Sequence, residues 1–392
     1  MKAAIALKGD AVLNVDLVGA QVLGPTGLAI RDLAMMDGLI ADSSVGRSVD
    51  LSGYRILPGI IDVHGDGFER HLAPRRGAMK QMAEGIVAAE AELAANGITT
   101  AVLAQFVSWE GGLRSMEFAD QVFNAIRDVR PETVTDLRPQ LRFETHLLDD
   151  YAGLADRIKA WSVEYVVFND HLPHARLAEG RKPPRLVGQA LKAQRNPEVH
   201  FQMLLDLHAR TEEVPAALDK LTAELTDMNV RMGSHDDQTS AQRAQWRARG
   251  ATISEFPETL EAADAARSKG DWVALGAPNL VRGGSHKGNV NALELVKMGY
   301  CDALASDYHY PSPRRAALML AESGVLDMVA AWHLVSAGPA AMLGLSDRGT
   351  LAVGYRADLV ILDAADHVVA TISGGRVSYM SGGIAARFVA AI

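Results

Sequence analysis

Histidines and carboxylates recur in this chain just where short apolar runs stop. Asp62-Val63-His64-Gly65-Asp66 follows Ile60-Ile61, and Glu144-Thr145-His146 ends a run from Leu141. Asn169-Asp170-His171 ends a run from Tyr165, and Ser234-His235-Asp236-Asp237 one from Val230. Glu255 lies within 251–256, and Ser306-Asp307-Tyr308-His309 closes a run from Cys301. Imidazole nitrogens and carboxylate oxygens are the donors of hard and borderline divalent ions. Any single histidine of this kind is usually just hydrogen-bonded or exposed, and an Asp beside Gly is usually a turn. Asp236-Asp237 could simply cap a following helix. Six such run-ends in succession are not explained that way. They point to a metal site, provided the fold gathers them.

Cations fall near the same places. Arg70, Arg75 and Arg76 follow the first run, and Arg181, Lys182 and Arg185 the fourth. Arg282 and Lys287 flank Gly283-Gly284-Ser285 after the seventh. A glycine-rich turn can aim backbone N–H groups at phosphate oxygens, and an arginine can bind them in a fork. Arg282, Gly284, Ser285 and Lys287 are therefore candidates for an anionic ligand, whereas the Arg181 group reads as solvated surface. Glu69 could order Arg70 or a water, or be a plain helix-start carboxylate. Phe68, Trp109 and Tyr308 read as core or rim aromatics. Cys301 reads as a small buried residue, not a nucleophile. Neither a serine nucleophile elbow nor a Walker-type loop is present.

The elements that must position these groups alternate. Strands are expected at 60–64, 100–106, 141–146, 165–169, 230–234, 251–256, 272–275 and 301–306. Helices are expected at 78–96, 186–194, 214–228, 260–268 and 291–298. Eight strands with helices between them predict a parallel closed barrel of the (β/α)8 TIM-like kind, with an open doubly wound sheet as the competing topology. In such a barrel the strand ends converge on one catalytic face. Both ends of the chain are β-rich: 11–16, 20–23 and 28–36, then 357–363, 367–372 and 376–380. These predict a small β-sandwich domain from residues 1–57 and 350–392, flanking a barrel over 58–349.

Composition bounds the rest. The chain has 392 residues, 48% of them hydrophobic and 22% charged, which excludes a disordered chain. One cysteine excludes an intrachain disulfide. The net charge of −9 argues against general nucleic-acid binding, and no apolar run is long enough for a transmembrane helix. The expected setting is cytoplasmic, with a small-molecule substrate, no nucleic acid or membrane partner, and a homo-oligomer left open.

Two segments carry a resemblance. Leu57-Pro58-Gly59-Ile60-Ile61-Asp62-Val63-His64 resembles the lead-in to the first barrel strand of the amidohydrolase superfamily, and Gly349–Val360 resembles the exit back to its small domain. The runs His64–Arg70, Asp170-His171, Gly233–Asp237, Ser254–Pro257, Pro278–His286 with Gly288-Asn289, and Ser306–Tyr308 resemble the phosphonate-utilisation branch of that superfamily.

The resemblance implies one or two divalent ions (Zn, Mn or Mg) held by His64, Asp66, Glu144, His171, His235 and Asp307. His146, His174 and Glu255 remain alternatives to His171 or Asp66. Asp66 stands where most of the superfamily has a histidine. Asp307 would take the proton of the attacking water, assisted by His235 and Asp236. Glu69, Arg70, Arg282, Gly284, Ser285 and Lys287 would bind a small phosphorylated substrate. The implied reaction converts alpha-D-ribose 1-methylphosphonate 5-triphosphate to the 5-phosphate and diphosphate. Open alternatives are hydrolysis of a C–N bond in a cyclic amide or aminated heterocycle, hydrolysis of a phosphotriester or nucleotide, and a scaffold without catalysis.

Overall fold

Eight parallel strands follow one another around a single sheet in sequence order. They are Ile60–Gly65, Ile98–Val107, Asp136–Glu144, Tyr165–Asn169, Arg231–His235, Ile253–Glu255, Trp272–Gly276 and Ala303–Ala305, called here barrel strands one to eight. The computed structural model describes residues 12–73, 81–283 and 290–391. Gly284, Ser285 and Lys287, with Arg75 and Arg76, lie outside the described residues.

The strands are apolar because both faces are covered. Val63, Val102, Val167, Ile253, Ala274 and Ala303 share an inner cluster. Ile60, Leu103, Phe143, Phe168 and Leu304 pack against helices such as Met82–Ala95 and Met116–Val129. The second of these helices starts at Ser115, whose hydroxyl accepts the N–H of Phe118 at the N-cap.

Strands eight and one meet differently from the other pairs. Their seam is an isolated bridge, Gly65 with Asp307. The Asp307 N–H donates to the His64 carbonyl at 2.9 Å, and the Asp66 N–H to the Asp307 carbonyl at 2.8 Å. Below them, buried Asp62 accepts from the Ser306 N–H at 2.8 Å and from the Ser306 hydroxyl. The lead-in aspartate thus holds the barrel shut.

Both chain ends build the smaller sheets. A six-stranded sheet interleaves Gln21–Gly24, Gly27–Ile30 and Arg55–Pro58 with Leu359–Leu362, Val368–Ser373 and Arg376–Met380. A four-stranded sheet uses Val15–Val18, Leu33–Met36, Leu39–Ala41 and Ser48–Asp50. The two share one apolar core containing Leu17, Met35, Val22, Ile56, Leu359 and Ile372.

Three expectations need correction. The run 28–36 is two strands in different sheets, parted at Arg31-Asp32. Strand three begins at Asp136, not 141, and ends at Glu144, because its polar residues and Pro139 hid its first half. Gly382–Ala390 is a helix where only turns were expected, and Ile384 and Phe388, four apart, bury one face.

Candidate metal centre

The strand ends do converge. His64 is fully buried at the end of strand one, and its ring centre lies 5.4 Å from that of His235 on strand five. His171, after strand four, lies 6.3 Å from His235 between ring centres. Glu144, at the end of strand three, accepts the backbone N–H of His171 at 2.7 Å and lies 3.2 Å from its Nδ1. Asp307 lines a cavity of 270 Å³ together with His235, Asp236 and Arg142. Asp66 is close enough to Asp307 to raise its carboxyl. All six sequence-named metal candidates therefore share the mouth of the barrel.

Asp236 bridges two imidazoles: its carboxylate is 3.1 Å from His235 Nδ1 and 3.5 Å from His171 Nε2. Burial alone would raise its carboxyl, but the hydrogen bonds from His171 and His235 outweigh that and keep it ionised far below the usual range. His235 itself is pushed down to about 4 by burial and by the Arg142 guanidinium, so it is neutral and able to donate a lone pair. His171 goes the other way, to about 9, because Asp236 and Glu144 outweigh its burial. Asp307 is pushed up to about 6 by burial and by Asp66. Glu69 rises to about 7 for the same two reasons.

Three strand-end residues hold left-handed backbone: Asp236 at φ +61°, Phe256 at +53° and Asp307 at +56°. For a bulky aromatic such as Phe256 this conformation is costly. Strain of this kind is characteristic of sites where the chain must aim a side chain.

Glu255, weighed from sequence only as a substitute, belongs at the centre. Its Oε1 accepts from Tyr165 at 2.6 Å and from Gln140 at 2.9 Å, which turns Oε2 to within 2.9 Å of His64 Nδ1. That contact lacks hydrogen-bond geometry. Both His64 ring nitrogens, His235 Nε2 and Glu255 Oε2 are buried without a hydrogen-bond partner among the described residues. Orphaned donors of this kind are rare in a folded interior. Here they form a His-His-Glu set with ligand atoms within 4.8 Å of one another, which fits a divalent ion.

Arg142 was missed altogether. Its Nη2 lies 3.5 Å from His235 Nδ1, its Nε donates to Asn169 at 2.9 Å, and it stacks on Phe106. The signal was available. Gln140, Arg142 and Glu144 alternate along strand three, so an inward Glu144 implies an inward Arg142.

The other candidates divide. Arg282 is exposed after strand seven, bonded to Asn279 and 5.7 Å from the Tyr308 ring, on the rim beside Asp307. Arg70 is half-exposed and committed to Glu92 and to the Tyr308 carbonyl, so its placement gives it a structural partner. Phe68 and Trp109 are core. Cys301 is buried and its thiol is pushed up, as expected of an inert residue. Thr239, not Asp236 or Asp237, caps the helix after strand five. Asp237 instead accepts from Ser234, Ser254 and buried Arg243, tying strands five and six together beneath the site.

His146 and His174 stand apart from the central set, grouped with Asp170. They line a larger cavity of 710 Å³ that also reaches His171, His235 and Asp236.

Comparison with known proteins agrees with this architecture. The sequence profile of the amidohydrolase family matches residues 66–379. The chain is 32% identical to the alpha-D-ribose 1-methylphosphonate 5-triphosphate diphosphatase of Escherichia coli (strain K12) over 362 residues, 90% of this chain and 95% of that one. Among solved structures it resembles the N-acetylglucosamine-6-phosphate deacetylase of Pasteurella multocida (TM-score 0.61, 10% identity, 93% and 99% of the two chains). It also resembles the beta-aspartyl dipeptidase of Fervidobacterium islandicum AW-1 (TM-score 0.61, 14% identity, 94% and 97%). With a profile match spanning most of its length, the chain belongs to the amidohydrolase family.

Proposed function

We propose that this hydrolase cleaves a phosphoric anhydride, converting alpha-D-ribose 1-methylphosphonate 5-triphosphate to the 5-phosphate and diphosphate in phosphonate breakdown. The observation that carries the reading is Arg142. Its guanidinium lines one cavity with Asp307 and His235, so a fixed cation faces a base and metal-ligand donors. A neutral cyclic amide has no use for that charge, whereas a triphosphate requires it. The relative of the same activity, 32% identical across nearly the whole chain, supports the same substrate.

His64, His235 and Glu255, with Glu144, His171, Asp66 and Asp307 around them, would hold one or two ions of Zn, Mn or Mg. Such ions supply Lewis acidity toward a phosphoryl oxygen and make water a better nucleophile at neutral pH. The residues of the chain do the rest. Arg142 binds and orients a phosphate through its fork of donors. The Asp307 carboxylate, raised toward neutrality, accepts a proton from the water that attacks phosphorus. Asp236 keeps His235 and His171 oriented through its two oxygens. Arg282 on the rim would meet the outer phosphates.

The test is product analysis. Purified protein is loaded with each metal in turn and offered the triphosphate, a panel of nucleoside triphosphates, and cyclic amides. Diphosphate release that stops on chelation and returns with metal is the expected result. Ammonia or carboxylate release from the amides, with no diphosphate from the triphosphate, would overturn it.

A further inference from the structure

We propose that His146, Asp170 and His174 form a second cation site, separate from the central one, that holds a borderline divalent ion of the Zn²⁺ class. Each offers one ligand atom, and these atoms lie within 4.8 Å of one another. Two imidazoles and one carboxylate, with the remaining positions open to solvent, is a donor set that zinc and its neighbours favour.

Three stretches of chain supply the group and its supports. His146 follows strand three, while Asp170 and His174 follow strand four. His208, which lies in the helix Pro197–Ala209, and Thr211 just after it stand behind the two histidines. His146 is almost wholly buried, whereas the Asp170 and His174 side chains are 42% and 32% exposed, so an ion can enter from the 710 Å³ cavity.

The contacts behind the ligands turn one ring nitrogen of each histidine toward Asp170. The Thr211 hydroxyl donates to the His208 carbonyl at 2.6 Å. With its proton spent there, Thr211 Oγ1 can only accept from His146 Nε2, 3.3 Å away. His146 Nδ1 is then the nitrogen with the lone pair, and it faces Asp170 Oδ1 at 3.5 Å. Two electron-rich atoms turned toward each other call for a cation between them. The Thr145 hydroxyl also reaches His146 Nδ1, at the same 3.3 Å as the Thr211 contact, and is the donor that an ion would displace.

His174 repeats the pattern. Its Nδ1 lies 2.9 Å from His208 Nδ1, and its Nε2 lies 3.0 Å from both Asp170 oxygens. When His174 Nδ1 is the donor to His208 Nδ1, His174 Nε2 carries the lone pair and faces Asp170 ready to ligate. Metal-binding histidines are commonly held this way, by a partner on the other ring nitrogen. The site does not depend on the reaction proposed above, and it does not share ligand atoms with His64, His235 or Glu255.

The experiment counts ions without reading activity. Chelator-stripped protein is equilibrated with Zn²⁺ alone, and bound zinc per chain is measured for wild type, His174→Ala, Asp170→Asn and His64→Ala. Expected is one zinc fewer in His174→Ala and in Asp170→Asn, with the ion at the central site retained. His64→Ala should keep the outer ion. Asp170→Asn preserves side-chain shape, so it stands as the control if His174→Ala melts early. Substitution with Co²⁺ gives a second readout, a visible absorption that His174→Ala should reduce to the share that the central site contributes. Equal zinc content in wild type and both outer variants, or an unchanged cobalt spectrum, would overturn the site in favour of a plain hydrogen-bonded network.

Discussion

The backbone N–H of Asp307 donates to the carbonyl of His64 at 2.9 Å, across the seam where the last barrel strand meets the first. The two residues that close the cylinder are also two of the metal-site candidates gathered at that end of it. Geometry at the site and integrity of the barrel are therefore linked, and substitutions must be chosen to separate them.

Asp307→Asn makes that separation. The amide keeps the side-chain volume and leaves the backbone bond to His64 in place, while removing the basicity that burial and Asp66 confer. Turnover should fall about 10²- to 10⁴-fold, the usual contribution of a positioned base. The melting temperature should stay near wild type. Near-normal kcat would remove Asp307 from the proton-accepting role.

Arg142 should matter for the charged substrate above all. A hydrogen bond to a charged group contributes roughly 1.5–3 kcal/mol, so Arg142→Ala should raise KM for the triphosphate by about 10- to 100-fold. Arg142→Lys should restore only part of this, because an ammonium cannot reproduce the planar fork. An unchanged KM in steady-state assays of Arg142→Ala would dismiss the guanidinium as a phosphate ligand.

The metal-free protein should lose stability in alkali. His171 has its folded value raised to about 9 from the ordinary 6.5 by Asp236 and Glu144. A raised value means that the folded state holds the proton more tightly than the unfolded chain. That stabilisation is complete below pH 6.5 and disappears as the pH climbs through 9. Thermal melts of chelated protein between pH 6 and pH 10 should trace the loss, and His171→Gln should flatten the curve over that window. A wild-type profile no steeper than that of His171→Gln would contradict the coupling.

Asp62 should behave as a structural residue despite its place beside His64. Asp62→Ala would strand the buried Ser306 N–H and hydroxyl, which costs about 1–3 kcal/mol for an unsatisfied buried group. Burial already raises the Asp62 carboxyl, so Asp62→Asn should be tolerated better. Denaturant titration of the two variants distinguishes them. Equal stability of Asp62→Ala and wild type would show that the seam does not need this clasp.

Much of the barrel was legible because strand ends in a parallel sheet are marked twice, by an apolar run and by the chemistry that follows it. Tyr165–Asn169 and Leu260–Ser268 come out of the sequence with the bounds found in the structure. The central donor set was only partly legible. His64, His235 and Asp307 each end a run and announce themselves, whereas Glu255 could be given only as an alternative. Its role depends on Gln140 and Tyr165 reaching across the barrel, and no local pattern reveals a contact between strands so far apart in sequence. Arg142 was hidden by an expectation about composition. A charge inside a strand reads as an edge or an error until the neighbouring Glu144 fixes which way the strand faces.

The pairing of Leu57 with Val360 has a consequence for how the protein is made. Strand Arg55–Pro58 emerges early from the ribosome, yet its neighbour Leu359–Leu362 is translated only after the whole barrel, roughly 15–60 s later at ordinary elongation rates. Until then the nascent amino-terminal ribbon waits with one border unpaired, open to wrong partners. Its final assembly is necessarily among the last events of biogenesis, and a chaperone that shields that border would raise yield without touching catalysis.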